Sequence, residues 1–332
     1  MKYALTNGAI LDGTLSMRPL RGKTVIVNSG IIEEIVDCDR ANLKGCTIVD
    51  MRNGYLMPGL INLCVHLSSS GYVSAKQKPL TKERVKQITS NPILTFVEQY
   101  KAAIRAKTEL LSGVTTICTE NGIPGWDSML RDKIDAGKKP GPRILISGTS
   151  EHSDGQPFGS AISEIKGKKP TYVTALTSLF PYGHFDVHAT GLNNEDKEKS
   201  SMIFNNSVKQ IKTCLENKSV VGVATGAGNN FVPHYAMYYE LILLQKFCGM
   251  SNLELIHTAT EVNARIAGLG DSVGRVAEGL DADLIVSKKN PLEDLAALND
   301  LVLVMTRGKL YQKTSYYIFP EIDTMWQPHL MF

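Results

Sequence analysis

The chain has no CxxC pair, no apolar run of the roughly 18 residues needed to span a bilayer, and no block of like charges. Each absence excludes something. Six cysteines (Cys38, Cys46, Cys64, Cys118, Cys214 and Cys248) are scattered along 332 residues, which argues against a disulfide framework and for a reducing compartment. The N-terminal residues from Met1 to Asn7 contain no long apolar stretch of the secretory kind. These features predict a cytoplasmic protein. The formal net charge is only +3, and lysines occur singly or in short pairs such as Lys138-Lys139 and Lys288-Lys289. Neither a nucleic acid nor an anionic membrane is the expected partner.

The composition, 43% hydrophobic and 21% charged, is that of an ordinary globular protein able to bury a sizeable core. Residues 1–56 read as short strands. Tyr3-Ala4-Leu5, Thr24 to Val27, Ile31 to Val36 and Thr47-Ile48-Val49 are separated by turn signals at Asn7-Gly8, Asp12-Gly13, Ser29-Gly30 and Asn53-Gly54. Residues 60–67 are almost continuously apolar and suit a strand buried on both faces. A helix is expected over 84–112, with Val97, Tyr100, Ile104 and Leu111 as its apolar stripe. A strand at Val114 to Cys118, a helix from Trp126 to Ala136 and a strand at Arg143 to Ser147 follow, the alternation of a parallel α/β fold.

That rhythm then breaks. Gly148 to Pro170 is polar and glycine-rich, Tyr172 to Leu179 reads as a strand, and Pro181 to Ser200 reads as a loop. A helix over 201–218 and a strand at Val220 to Ala224 come next. Ser251-Asn252-Leu253-Glu254 spells a capping box opening a further helix, and strands return at Leu284 to Val286 and Leu301 to Met305.

Three segments, taken in order, resemble the amidohydrolase superfamily, in the branch of imidazolonepropionase-related and Xaa-Pro dipeptidase-like proteins. They are Pro58-Gly59-Leu60-Ile61-Asn62-Leu63-Cys64-Val65-His66; Leu110 to Thr116 with Gly141-Pro142-Arg143; and Glu278 to Val286 with Asn290-Pro291-Leu292-Glu293-Asp294. The resemblance implies a (β/α)8 barrel flanked by a small β-sandwich built from both chain ends. Residues 1–56 and 271–320 would form the sandwich and 57–270 the barrel. A complete barrel of this kind takes about 250 residues, against roughly 210 here. Only five candidate barrel strands can be found. An incomplete TIM-like barrel lacking the family's strands 4–6 is therefore expected.

The family reaction is hydrolysis of an amide or related C–N bond by water on zinc or another divalent metal. The first-strand His-x-His pair of the family is Cys64-x-His66 here. Alternation along a strand puts both side chains on one face, so Cys64 and His66 are either two metal ligands or a small core residue and a hydrogen-bonded histidine. The last-strand aspartate, metal ligand and general base in the family, is replaced by Gly226, next to Thr225. No catalytic residue can be assigned in its place. The family's bridging lysine or acid and its next two histidines would lie on the missing strands.

His152 and His234 fall just beyond strands and, with Thr225, are candidates for a pocket; His184 and His188 read as loop histidines. The resemblance implies a small-molecule or dipeptide-like substrate. Four alternatives stay open: an impaired homologue that binds a partner or small ligand or does nothing useful, a hydrolase with a single-metal site rebuilt from Cys64, His66 and one of His152, His184, His188 or His234, a partial barrel completed by self-association through its sheet edges, and a decayed product that folds poorly.

Overall fold

A computed structural model of the chain describes residues 1–72, 81–120, 122–146, 171–312 and 314–331. Six short strands come first: β1 (Lys2–Thr6), β2 (Ala9–Ile10), β3 (Lys23–Asn28), β4 (Ile31–Asp37), β5 (Thr47–Asp50) and β6 (Tyr55–Pro58). Then follow β7 (Leu60–Val65), α1 (Lys82–Ser90), α2 (Pro92–Leu111), β8 (Val114–Thr119), α3 (Trp126–Asp135) and β9 (Arg143–Ile146). Past residue 170 come β10 (Thr171–Thr174), α4 (Leu176–His184), α5 (Val187–Thr190), α6 (Asn194–Glu216) and β11 (Val220–Val223). The chain continues through α7 (Met237–Leu243), α8 (Asn252–His257), α9 (Asn263–Ile266), β12 (Leu284–Ser287), β13 (Leu301–Thr306), β14 (Lys309–Tyr311) and α10 (Pro320–Leu330).

Packing divides the chain into two units. The first comprises Met1–Ile61, Leu110–Thr116 and Gly249–Tyr316. It holds a four-stranded sheet in the order β4-β3-β1-β5 and a five-stranded sheet in the order β14-β13-β12-β6-β2. Apolar side chains of both enter one core: Leu5, Val25, Val27 and Ile32 from the first sheet, Leu56, Leu284, Val286 and Met305 from the second. Gly59 allows a close approach at the end of β6, because a Cβ there would lie 2.1 Å from the Thr115 Oγ1 atom. The capping box forms as the sequence predicts: the Ser251 side chain accepts from Glu254 N, and Glu254 Oε2 accepts from Ser251 N at 2.8 Å.

The second unit comprises Asn62–Glu109, Ile117–Cys248 and Tyr317–Phe332. Its strands form the orders β7-β8-β9 and β10-β11, the latter pair parallel. The segment leaving β11 reaches the end of β7: Gly226 N donates to Cys64 O at 3.1 Å and His66 N to Ala227 O at 2.7 Å. Five strands therefore follow one another as β9, β8, β7, β11 and β10, and the end of β7 sits in their middle. Residues 147–170, which connect β9 to β10 and include His152, lie outside the described residues.

Three expectations need correction. Pro181 to Ser200 is mostly helical rather than a loop, and β10 is only four residues long before α4 begins. The first amides of α4 are held by a distant carboxylate rather than by a local cap, so no neighbouring residue announces the helix. For α6 a local signal did exist: Asn193 accepts from Asp196 N at 2.8 Å, and Glu195 and Asp196 occupy the first turn.

Three members of the apolar stripe expected on α2, Val97, Tyr100 and Ile104, face outward, while the fourth, Leu111, is buried together with Ala102, Ala106 and Leu110. Periodicity locates a stripe but does not say what covers it. The C-terminal helix α10 was not read from the sequence. It buries Trp326 completely, stacked on Phe180 at 5.3 Å and donating through Nε1 to Phe231 O at 2.8 Å.

Candidate functional site

Alternation along β7 places Asn62, Cys64 and His66 on one face. Asn62 is buried and ties this strand to β11. Its Nδ2 donates to Thr225 Oγ1 at 2.8 Å, and its Oδ1 accepts from Thr225 N at 3.0 Å. Thr225 is fully buried, and its carbonyl accepts from both Thr177 Oγ1 at 2.8 Å and Ser178 Oγ at 2.9 Å.

The Cys64 Sγ atom lies 3.7 Å from His66 Nε2 and 3.7 Å from Glu120 Oε2. The other ring nitrogen, His66 Nδ1, lies 3.1 Å from the Glu120 backbone oxygen. A carbonyl only accepts, so Nδ1 carries the proton and Nε2 presents its lone pair to the thiol. Burial lowers the pKa of His66 below its ordinary value. Burial, reinforced by the negative Glu120 side chain, pushes the Cys64 thiol well above the usual range. The pair is thus a neutral thiol beside a neutral imidazole. Burial raises the pKa of the nearby Asp127 carboxyl, with a hydrogen bond from Thr119 pulling it back. Sequence reasoning missed Glu120 and passed over Asp127; the available signal was Glu120's place directly after β8, where barrel loops begin.

His234 is buried and engaged through both nitrogens. Nε2 donates to Ser69 O at 2.8 Å, and Nδ1 lies 3.3 Å from Glu109 Oε1. Burial raises the pKa of Glu109, with His234 and Asn62 pulling it back.

His184 belongs to an aromatic cluster instead: its ring stacks on Phe180 at 4.0 Å and Nδ1 contacts Phe180 O at 3.0 Å. His188 lies on α5, opened by Asp186, which accepts from His188 N at 2.8 Å.

Gly226 has φ +66°, and a Cβ on it would lie 2.2 Å from Ser178 Oγ and 2.8 Å from Asn229 Nδ2. Those two side chains are themselves bonded at 3.1 Å. A local hydrogen-bonded pair, Ser178 and Asn229, is therefore packed against a left-handed glycine at this position.

A hydrolytic zinc centre takes about three protein ligands and an open position. Among the described residues, no three His, Cys, Asp or Glu side chains converge as a group able to hold a metal ion. Cys64 and His66 supply two donors. The described residues do not fit the metal centre that the family resemblance implies.

Comparison with known proteins was informative at the level of fold. The model of the amidohydrolase family matches residues 184–311. No curated protein matches the chain. Among solved structures, a chain from Bifidobacterium longum described as a prolidase superposes with a TM-score of 0.84 at 24% identity, covering 98% of each chain. A Xaa-Pro dipeptidase with bound methionine in the active site gives 0.73 at 17%, covering 94% of this chain and 100% of the other. The ochratoxinase of A. niger gives 0.72 at 15%, covering 99% of each. At such identities the likeness is one of fold.

The resemblance to the amidohydrolase superfamily drawn from the three sequence segments holds. This is a mixed α/β chain with structural neighbours in a TIM-barrel superfamily whose members are generally metal-dependent hydrolases. No helix among the described residues is long and apolar enough to cross a membrane.

Proposed function

We propose that this chain is a catalytically silent amidohydrolase homologue, a scaffold that keeps the superfamily's fold and no longer assembles its hydrolytic centre. One observation carries the reading. At the end of β11, Gly226 stands where the resemblance places the metal-binding aspartate, and its surroundings are closed by Ser178 and Asn229 rather than left open to a ligand. The hydrogen bonds that engage both nitrogens of His234 support the same conclusion.

The five-strand succession from β9 to β10 supports an incomplete barrel over 57–270. The two packed sheets of the first unit support a composite β-sandwich from 1–56 and 271–320. Neighbours described as dipeptidases make dipeptide-like small molecules the ligands to test first. Among the described residues β9 and β10 stand at sheet edges, which supports self-association as a second reading to be tested by the protein's mass in solution.

The deciding experiment is metal content per chain after zinc loading and removal of loose metal, paired with hydrolysis of dipeptides and simple amides. The expected result is well under one metal per chain and no hydrolysis above the uncatalysed rate. One tightly bound zinc per chain, with hydrolysis abolished by His66→Ala, would overturn the proposal in favour of a rebuilt single-metal hydrolase.

A further inference from the structure

A groove of about 230 Å³ lies on the second unit, between the outward face of α2 and the length of α3, and plays no part in the site described above. Its volume is at the small end for organic ligands. The walls are aromatic and soft: Phe96 and Tyr100, one helical turn apart on α2, with Trp126 and Met129 on α3. Phe96 is 71% exposed, Tyr100 55% and Met129 46%. Large apolar side chains left this far in water and converging on one depression mark a binding surface more often than scattered apolar residues do.

Lys133 and Lys139 complete the lining. They lie six positions apart but are brought together where the chain turns back after α3. The amides of Lys138 and Lys139 both donate to Lys133 O, at 2.9 and 3.2 Å. Neither amine is within ion-pair distance of a carboxylate among the described residues. The groove therefore has an apolar floor and an unneutralised positive edge.

We infer that this groove is a binding site for a small amphipathic carboxylate, an aromatic or branched apolar body with one anionic group. The body lies between Phe96, Tyr100, Trp126 and Met129, and the carboxylate faces Lys133 and Lys139. Charge decides against a second copy of the chain as the occupant. A two-fold pairing through this face would bury the same unpaired amines of both copies in one interface.

The test is calorimetric titration of the intact protein with naphthoate and, separately, with the uncharged naphthalenemethanol. Naphthoate is expected to bind once per chain and more tightly than the alcohol. The Lys133→Gln/Lys139→Gln double variant should weaken naphthoate by roughly three- to tenfold, the range for solvent-facing ion pairs, and leave the alcohol unchanged. Added salt should weaken naphthoate in the wild type only. Phe96→Ala should weaken both probes. Binding also reads out optically: of the chain's two tryptophans, Trp326 is fully buried, so quenching reports on Trp126.

Equal affinity for acid and alcohol, insensitive to the lysine substitutions, would overturn the inference and leave only a greasy patch. So would failure to saturate. Concentration-dependent dimerisation abolished by Phe96→Ala would overturn it in favour of self-association.

Discussion

Glu240 is fully buried, and its carboxylate does the work of a helix cap for a segment more than sixty residues away. Oε1 accepts from Thr174 Oγ1 at 2.7 Å and Leu176 N at 3.0 Å; Oε2 accepts from Thr177 N at 2.7 Å and lies 2.8 Å from Thr177 Oγ1, whose one proton it shares with Thr225 O. The helix α4 has no side-chain cap of its own, so these bonds satisfy the first amides that any helix leaves open. Glu240→Gln keeps the shape but replaces one oxygen by an NH2 group.

Whichever way the amide is turned, its NH2 faces either Leu176 N–H or Thr177 N–H, donor against donor. One buried backbone donor left without an acceptor costs about 1–3 kcal/mol. The remaining bonds also lose their charge assistance. Relief from burying an ionised carboxylate offsets part of this, and the net expectation is a loss of about 2 kcal/mol. For a protein of 332 residues that is a fall in melting temperature of about 3 °C by calorimetry. Glu240→Ala, which strips Leu176 N, Thr177 N and Thr174 Oγ1 of this acceptor, should cost more, about 4 kcal/mol. A Glu240→Gln protein melting within a degree of the wild type would refute the claim that this carboxylate holds the start of α4.

Three further expectations rest on the same kind of accounting. Burial raises Glu109, so the folded chain retains its proton to higher pH than the unfolded chain; the stability this group contributes is full below about 4.5 and declines as pH rises toward the raised value. Glu109→Gln removes that decline, and urea midpoints of the variant should gain on the wild type between pH 4.5 and 8; an unchanged difference across that range would count against the assignment. Gly226→Asp, which restores the family's acid, should destabilise by about 1–3 kcal/mol because of the left-handed φ and the displacement of Ser178 and Asn229, and it should bring no hydrolysis. A variant as stable as the wild type that cleaves a dipeptide with zinc would contradict both statements. Alkylation at pH 8 followed by mass spectrometry should modify the exposed Cys38 well before the buried, protonated Cys64; comparable rates would mean that the thiol is neither shielded nor raised.

Much of this protein was legible from short-range patterns. The strands β1, β3, β4, β5, β7, β8 and β11 follow from apolar runs punctuated by turn residues, because a strand's alternation and a turn's φ requirements act over a few residues. The capping box at Ser251 is local in the same sense. The pairing of Cys64 with His66 and the glycine at 226 were visible as departures from the superfamily pattern. Other features depended on partners far along the chain. The helix α4 looked like a loop because Pro181 and Gly183 lie within it and its capping acid is Glu240. The stripe on α2 looked like a core face because periodicity carries no information about what lies opposite.

By itself the sequence determined the α/β character and the strand-rich ends, and it set the glycine at 226 against the acid that the family resemblance would place there. Tertiary structure alone decided that His234 is occupied by Glu109 and Ser69, that Thr225 is a buried knot between β7 and β11, and that Phe96, Tyr100, Trp126 and two lysines share a groove. The division has a physical cause: backbone preferences and turn chemistry are decided within a few residues, whereas the protonation and pairing of a buried polar group depend on whichever distant side chain the fold carries to it.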